Sequence, residues 1–326
     1  MRRIGLRHIA RLSIAVAALC IASSACAQPA VSKQVRLILP FPPGGPTDML
    51  GRAVAQKLSE LVGQPVVADN RPGAGGNLGL ELGARAPGDG HTLVLSSPLV
   101  AISPLLYKRL NYDPARDLAP IAQVAQIQNV LVVHPSVPAK SLQELIAIAR
   151  RSPGKLNFGS GGVGTTSHLA PALLLSMTNV NMTHVPYKGT GVALTAMLGG
   201  EIDMLIMAVP AAQAQIQAGR ARALAVLTDK RQATLPDVPT SAEAGLPNYE
   251  VPIWYGILTS ASTPKEWVTR WSADIRRALD SPDLKDRLSS AGIEPRPSSP
   301  EQFAAFIKSE GTRYAKVIKD AGISPQ

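Results

Sequence analysis

Residues 35–48, V-R-L-I-L-P-F-P-P-G-G-P-T-D, place a continuous apolar run and two glycines directly before a helical pattern. An apolar run of this kind is typical of a parallel strand that is buried on both faces. Apolar residues then recur at helical spacing from Leu50 to Leu61, and Gly63 ends the pattern. The stretch therefore predicts a strand, a glycine-rich loop and a crossover helix, which is the repeating unit of a parallel α/β sheet.

The same unit recurs along the chain. R-P-G-A-G-G at residues 71–76 lies between two further strand patterns, and G-S-G-G-V-G at residues 159–164 belongs to a second series that begins after the strand at 129–133. After residue 263 only helical patterns remain, and we expect this tail to fold back over the first sheet. The sequence thus predicts an α/β protein with two lobes.

The predicted lobe boundaries follow from the expectation that the tail folds back over the first sheet. Residues 28–133 and 256–326 form a discontinuous first lobe in this prediction, and residues 134–255 form the second. Strands near 129–133 and 251–259 would cross between the lobes, and paired crossings of this kind suit hinged closure around a ligand.

The first 27 residues have the order of a secretory leader. Four arginines precede the apolar run 14–22, and S-A-C-A then ends at Ala27, where we expect cleavage. The apolar run is shorter than the roughly 20 residues that a membrane-spanning helix needs. Lipidation at Cys26 is the alternative, although Ser23 occupies the position where such leaders usually carry leucine. The protein is therefore expected to be exported to the periplasm.

Cleavage would change the composition of the chain. Both cysteines, Cys20 and Cys26, would leave with the leader, so the mature protein would have no disulfide and no thiolate site. It would keep 29 basic and 23 acidic residues, a net charge of +6 that helps to attract anions. Like charges are not grouped and aromatic residues are few, so no nucleic-acid partner is expected. No metal site or cofactor is predicted either.

Three glycine-rich loops, at residues 42–48, 72–79 and 159–168, each lie between a strand and a helix. Free N–H groups at helix N-termini attract anions, and ligands of open α/β sheets collect at the carboxyl ends of the strands. The structural alternative is that the glycines only make tight turns. The third loop also matches G-x-G-x-x-G, but residues 178–198 lack the acidic residue that a dinucleotide site requires. The loops therefore favour a small anionic ligand.

Four polar side chains are open to both a functional and a structural interpretation. His168 could act as a base for Ser160, donate to a ligand, or pack against the third loop. Asp48 could cap its helix, and Asp203 interrupts an apolar strand, where a carboxylate needs partners. Lys188 is either a solvated side chain or a source of positive charge in the cleft.

The loop sequences resemble the Bug family, the extracytoplasmic solute receptors of tripartite tricarboxylate transporters. The resemblance rests on F-P-P-G-G-P-T-D (41–48), R-P-G-A-G-G-N (71–77), V-P-Y-K-G (185–189), L-G-G-E-I-D (198–203) and P-T-S-A-E-A-G-L-P (239–247). It implies a type II periplasmic-binding-protein (Venus-flytrap) fold whose lobes close over a small carboxylate. It also implies delivery of this ligand to the membrane subunits of a transporter by a monomeric receptor that is not an enzyme.

The resemblance also implies the residues that contact the ligand. They are Gly44, Gly45, Thr47, Asp48, Asn77, Ser96 and Ser97 in the first lobe, and Ser160, Gly164, Thr165, Thr166, His168, Lys188, Gly189 and Asp203 in the second. Leu99 departs from the small polar residue that is usual there, which leaves room for an apolar or aromatic acid. Two alternatives stay open: a receptor that reports its ligand to a signalling partner, and an exported hydrolase that uses Ser160 and His168.

Overall fold

The computed structural model describes residues 31–325, so the predicted leader and Cys26 lie outside the described residues. The elements follow in chain order as β1 (Val35–Leu39), α1 (Pro46–Val62), β2 (Val66–Asn70), α2 (Asn77–Ala84), β3 (Thr92–Ser96), α3 (Leu99–Leu106), α4 (Pro114–Asp117), β4 (Leu118–Ile127), β5 (Asn129–Val133), α5 (Leu142–Arg151), β6 (Asn157–Ser160), α6 (Thr166–Thr178), β7 (Thr183–Pro186), α7 (Thr190–Leu198), β8 (Met204–Ala208), α8 (Val209–Gln217), β9 (Arg222–Val226), β10 (Ile253–Ser260), α9 (Lys265–Asp280), α10 (Pro282–Ser290), β11 (Ile293–Pro295) and α11 (Pro300–Asp320). None of the helices between residues 31 and 325 is both long and apolar enough to cross a bilayer.

The first sheet has six strands in the order β11-β4-β10-β3-β1-β2, of which β1, β2 and β3 are parallel. Successive residues of a strand face opposite sides of the sheet. Leu37 accordingly packs with Trp271 of α9 in one core, whereas Ile38 packs with Phe303 of α11 in the other. Both faces are covered by helices, which explains the unbroken apolar run of β1.

The second sheet has five strands in the order β7-β6-β8-β5-β9, with β6, β7 and β8 parallel. Leu131 of β5 joins a core with helices α5 and α6, and its neighbour Val132 joins the core on the opposite face with α7. The two sheets, each enclosed by helices, confirm the predicted α/β class.

The chain passes between the sheets twice. Gln128 alone separates β4 of the first sheet from β5 of the second. The return passage precedes β10, and there the Nδ2 of Asn129 donates to the carbonyl oxygen of Val251 at 2.7 Å. Val251 N donates in turn to Leu227 O at 3.2 Å. The two passages are therefore hydrogen-bonded to each other.

The strand pairing differs from the predicted lobe boundaries at two places. The predicted boundaries place β5 in the first lobe, but it pairs with β8 and β9 of the second sheet. They place Ile253 and the two residues after it in the second lobe, yet these residues pair with β4 of the first sheet. Pairing between distant strands decides the sheet to which a strand belongs, and local hydrophobicity does not report it. The tail after residue 263 also contains the strand β11, where only helices were expected.

Helices of the two sheets also meet in a small apolar cluster. Ile102 and Leu106 of α3, Leu169 of α6, and Tyr314 and Ile318 of α11 are all buried in it. Helix α3 follows a strand of the first sheet, whereas α6 packs on the second. The cluster therefore places the end of α3 beside the third glycine-rich loop, which precedes α6.

Candidate ligand-binding site

The first glycine-rich loop is held by the carboxylate of Asp48. Its oxygens accept hydrogen bonds from Gly44 N at 3.1 Å and from Asn70 Nδ2 at 2.9 Å, and Arg52 forms an ion pair at 2.9 Å. Burial by itself would raise the pKa of Asp48, but these hydrogen bonds outweigh it and lower the pKa below its ordinary value. The Asp48 carboxylate is thus ionised, its charge is balanced by Arg52, and its hydrogen bonds order the loop. Gly44 and Gly45 face open space, because a Cβ on either would meet nothing within 4 Å.

Three other polar residues predicted in the first lobe use their side chains internally. Asn77 is buried, donates to Ala74 O at 3.0 Å and accepts from Tyr112 OH at 2.9 Å. Ser96 is also buried and donates to Ser97 O at 3.1 Å. Thr47 is hydrogen-bonded to Tyr255, whose pKa is raised to about 12 by burial, with Thr47 acting in the opposite direction. The structure therefore gives these side chains a supporting role, and Ser97, which is partly exposed, is the exception.

The third loop is closed by its own hydroxyl groups. Thr165 Oγ1 donates to Gly162 O at 2.7 Å, and Ser167 Oγ accepts from Gly161 N at 2.9 Å. Ser160 Oγ accepts from Gly162 N at 3.1 Å. Thr166 Oγ1, by contrast, has no hydrogen-bond partner among residues 31–325, and its side chain is partly exposed. Of the hydroxyls predicted in this loop, Thr166 is the one left free for a ligand.

His168 is a neutral, buried member of this loop. Its Nδ1 accepts a hydrogen bond from Gly164 N at 3.1 Å, which assigns the ring proton to Nε2. The ring stacks on His184 at a centroid distance of 4.0 Å. Burial, and secondly the neighbouring His184, lower the pKa of His168 to about 4. Burial also lowers the pKa of His184. Neither imidazole therefore supplies a positive charge at neutral pH.

Acidification is expected to destabilise the protein between pH 6.5 and pH 4. The unfolded chain takes up a proton on His168 near its ordinary pKa of 6.5, whereas the folded chain does so only near pH 4. The stabilisation is thus complete above pH 6.5 and is lost as the pH falls, by up to about 3 kcal/mol from this group. Melting temperatures measured across this range test it. His168→Asn keeps an acceptor but does not titrate, so its melting temperature should fall less steeply, and an unchanged slope would contradict the assignment.

Ser160 is paired with His184, not with His168. Its Oγ lies 2.7 Å from His184 Nε2, and Ser160 is fully buried. A hydrolase that uses Ser160 with His168 is therefore the wrong pairing, because the histidine bonded to Ser160 is His184. Among the described residues no carboxylate is hydrogen-bonded to either ring, whereas a catalytic serine needs an oriented base. The arrangement orders the loop between β6 and α6.

Lys188, Gly189 and Asp203 have different positions. Gly189 N donates to Gly161 O at 3.1 Å, so Gly189 lies beside the third loop, and Lys188 is exposed next to it. Asp203 precedes β8 and accepts from Asn157 N at 2.7 Å, at the start of β6, whereas Ser160 and the third loop lie at the other end of that strand. The structure therefore does not bring Asp203 to the loop, because it belongs to the amino ends of the strands.

The helices that follow the parallel strands share one feature at their N-termini. None of α1, α2, α3, α6, α7 and α8 has a side-chain hydrogen bond at its N-cap, and the six cap residues are Gly45, Gly76, Pro98, Thr165, Gly189 and Ala208. Helices α4, α5 and α11 do have side-chain caps, from Asp113, Ser141 and Ser299. The tail helices α9 and α10 lack a side-chain cap as well. Some first-turn N–H groups donate to backbone carbonyls instead, such as Val100 N to Ser97 O at 3.2 Å and Val209 N to Gln128 O at 2.8 Å. The remaining first-turn N–H groups and the helix dipoles suit an anion at the carboxyl ends of both sheets.

Apolar side chains that are far apart in the sequence lie together beside these loops. A Cβ on Gly76 would lie 2.6 Å from Leu99 Cδ2 and 3.2 Å from Phe41 Cζ. A Cβ on Gly164 would overlap Leu106 Cδ1. Helix α3 thus extends from the second loop to the third. Its apolar sequence, L-V-A-I-S-P-L-L, is the pattern that could have revealed it.

The fold and the loops together define a two-lobed solute-binding protein. In the part of the chain that the structure describes, no group of three or more His, Cys, Asp or Glu side chains could hold a metal ion. The family model described as "Tripartite tricarboxylate transporter family receptor" matches residues 50–323. The chain therefore belongs to this family, and the resemblance to Bug receptors is confirmed.

Individual relatives agree with this assignment. Protein BugT of Bordetella pertussis is 34% identical over 319 residues, which cover 97% of this chain and 98% of the relative. A solved structure described as R. palustris Rpa4515 with adipate has a TM-score of 0.82 and 38% identity, over 91% of this chain and 99% of its own. MatC of Rhodopseudomonas palustris with bound malate has a TM-score of 0.76 and 32% identity, over 88% and 99%.

Proposed function

We propose that this protein is an exported receptor that captures a small carboxylate between its two sheets and delivers it to the membrane subunits of a tripartite transporter. The observation that carries the proposal is that six helices begin at the carboxyl ends of the parallel strands with no side-chain cap on their first-turn N–H groups. Two relatives with a similar fold hold adipate and malate, both small dicarboxylates.

The charges of the described residues support the same ligand class. Asp48 is neutralised by Arg52, the histidines of the third loop are uncharged at neutral pH, and Lys188 adds one cation nearby. Backbone N–H groups and hydroxyls would then hold the carboxylate by charge-assisted hydrogen bonds. We further propose that the lobes divide at Gln128 and just before β10, that the leader is cleaved after Ala27, and that the receptor acts in the periplasm as a monomer.

The ligand class can be tested directly. Native mass spectrometry of the purified protein would detect a co-purified acid, and thermal shift against a panel of carboxylates would rank candidates. A ligand that binds the folded state raises the melting temperature in proportion to its saturation. If no carboxylate in the panel raises the melting temperature and no acid co-purifies, the proposal is wrong.

Thr166→Ala is expected to weaken carboxylate binding by about tenfold or more, because one hydrogen bond to a charged group is lost and no internal bond is broken. Isothermal titration calorimetry with the strongest acid from the panel would measure the change. Thr269→Ala is the control, since Thr269 Oγ1 on α9 donates only to Lys265 O. Equal affinities of Thr166→Ala and the control would exclude Thr166 from the site.

A further inference from the structure

The loops are bordered by an apolar wall, which we define as Phe41, Leu99 and Leu106. Phe41 follows β1, and the other two residues begin and end α3. Phe41 and Leu99 meet over the backbone of Gly76, where a Cβ would lie 3.2 Å and 2.6 Å from their side-chain carbons. Leu106 reaches Gly164 of the third loop in the same way. The wall therefore runs from the second loop to the third.

The wall differs in chemistry from the loops that it joins. Its three side chains carry no donor and no acceptor, whereas polar groups are concentrated at the helix N-termini on either side. Phe41 and Leu99 are also partly exposed, although Leu106 is buried. A ligand held by its carboxylate at these N-termini would thus lay its remaining atoms against the exposed parts of Phe41 and Leu99.

We propose that the apolar wall makes the receptor selective for carboxylates with an apolar chain or ring, and that it rejects hydroxylated acids of the same size. This inference rests on the proposed function. A hydroxyl placed against the wall loses its hydrogen bonds to water and gains none, whereas a methylene gains from burial. The proposal separates two kinds of ligand that relatives hold, because malate carries a hydroxyl and adipate does not.

Leu99 is the residue with which to test the wall. It lies at the first turn of α3, and it also packs on the core cluster of Ile38 and Phe303. Leu82 packs, partly buried, on the same cluster from α2. Leu82→Asn is therefore the matched control for Leu99→Asn, because both changes place an amide against the same core and only Leu99 belongs to the wall.

The test compares acids that differ only in hydroxyl groups: succinate with malate, adipate with galactarate, and phenylacetate with mandelate. Dissociation constants would be measured by calorimetry for the natural protein and both variants. In the pair of acids that binds best, we expect the apolar acid to bind about tenfold more tightly than the hydroxylated one. Leu99→Asn should reduce this ratio about fivefold, whereas Leu82→Asn should leave it unchanged.

Each other outcome has a defined meaning. Tighter or equal binding of the hydroxylated acids would overturn the selectivity and leave the carboxylate receptor intact. A ratio that responds equally to both variants, or to neither, would show that the wall does not set the preference. Binding of none of the six acids would overturn the selectivity and count against the proposed function itself. The preference of the natural protein for apolar acids can be measured without any variant. Leu99→Thr replaces Leu99→Asn if the latter does not fold.

Discussion

Gly164→Ala is expected to reduce carboxylate affinity about tenfold while the protein remains folded. Gly164 has a φ of +80°, which costs a residue with a Cβ about 1–2 kcal/mol, and each 1.4 kcal/mol is a factor of about ten in affinity. The added carbon would also overlap Leu106. The loop would then leave the conformation in which Gly164 N donates to His168, and only the remaining competent fraction would bind.

A second glycine provides the matched control. Gly219, after α8, has a φ of +67°, and a Cβ there would meet nothing within 4 Å. Gly219→Ala therefore introduces similar backbone strain without a neighbour and away from the third loop. Calorimetric titration of both variants with one acid should show weaker binding for Gly164→Ala only. Similar affinities would mean that the loop geometry at Gly164 does not matter for binding.

Trp271→Ala is expected to lower the free energy of unfolding by about 3–5 kcal/mol, the usual cost of deleting a large buried aromatic side chain. Trp271 of α9 is fully buried on the first sheet, and its Nε1 donates to Gly90 O at 2.8 Å. The change removes the largest fully buried side chain with which the tail covers that sheet. Urea unfolding followed by circular dichroism would measure the loss.

Trp267 lies one turn earlier on α9, and Trp267→Ala is the control for a general loss of aromatic surface. It is only partly buried and contacts His91 edge-on, with ring centroids 5.1 Å apart. Trp267→Ala should therefore cost clearly less than Trp271→Ala. Equal losses would show that the tail does not depend on the buried contact of Trp271 with the sheet.

The features that could be predicted from the sequence are those that adjacent residues determine. The strand, glycines and helix of residues 35–62 are each visible in local periodicity, and the structure has β1 and α1 there. Loop positions could be predicted for the same reason, as for Gly44, Gly45, Gly164 and Thr166. The backbone freedom of glycine and the hydrogen bonds of a hydroxyl are properties of the strand-to-helix turn itself.

The features that could not be predicted depend on pairing between distant segments. His184 reaches Ser160 because β7 pairs with β6, with His184 opposite Phe158, and nothing near either residue in the sequence shows this. The family resemblance implies a ligand contact for Asp203, but its carboxylate accepts a hydrogen bond at the start of β6. β4 also escaped prediction, since glutamines at 123 and 126 interrupt its apolar pattern and its partners β10 and β11 lie more than a hundred residues away.

The missing N-caps imply a conflict between the stability of the helices and the binding of a ligand. A serine or aspartate cap typically stabilises a helix by about 1 kcal/mol, and six helices of this protein forgo it. A serine or aspartate introduced at these positions would accept hydrogen bonds from the same N–H groups as the proposed carboxylate, so the more stable protein should bind the acid more weakly. An acid that accepts hydrogen bonds from these helix N-termini would supply part of the stability that the caps do not, so the protein should melt at a higher temperature with a bound acid than without one.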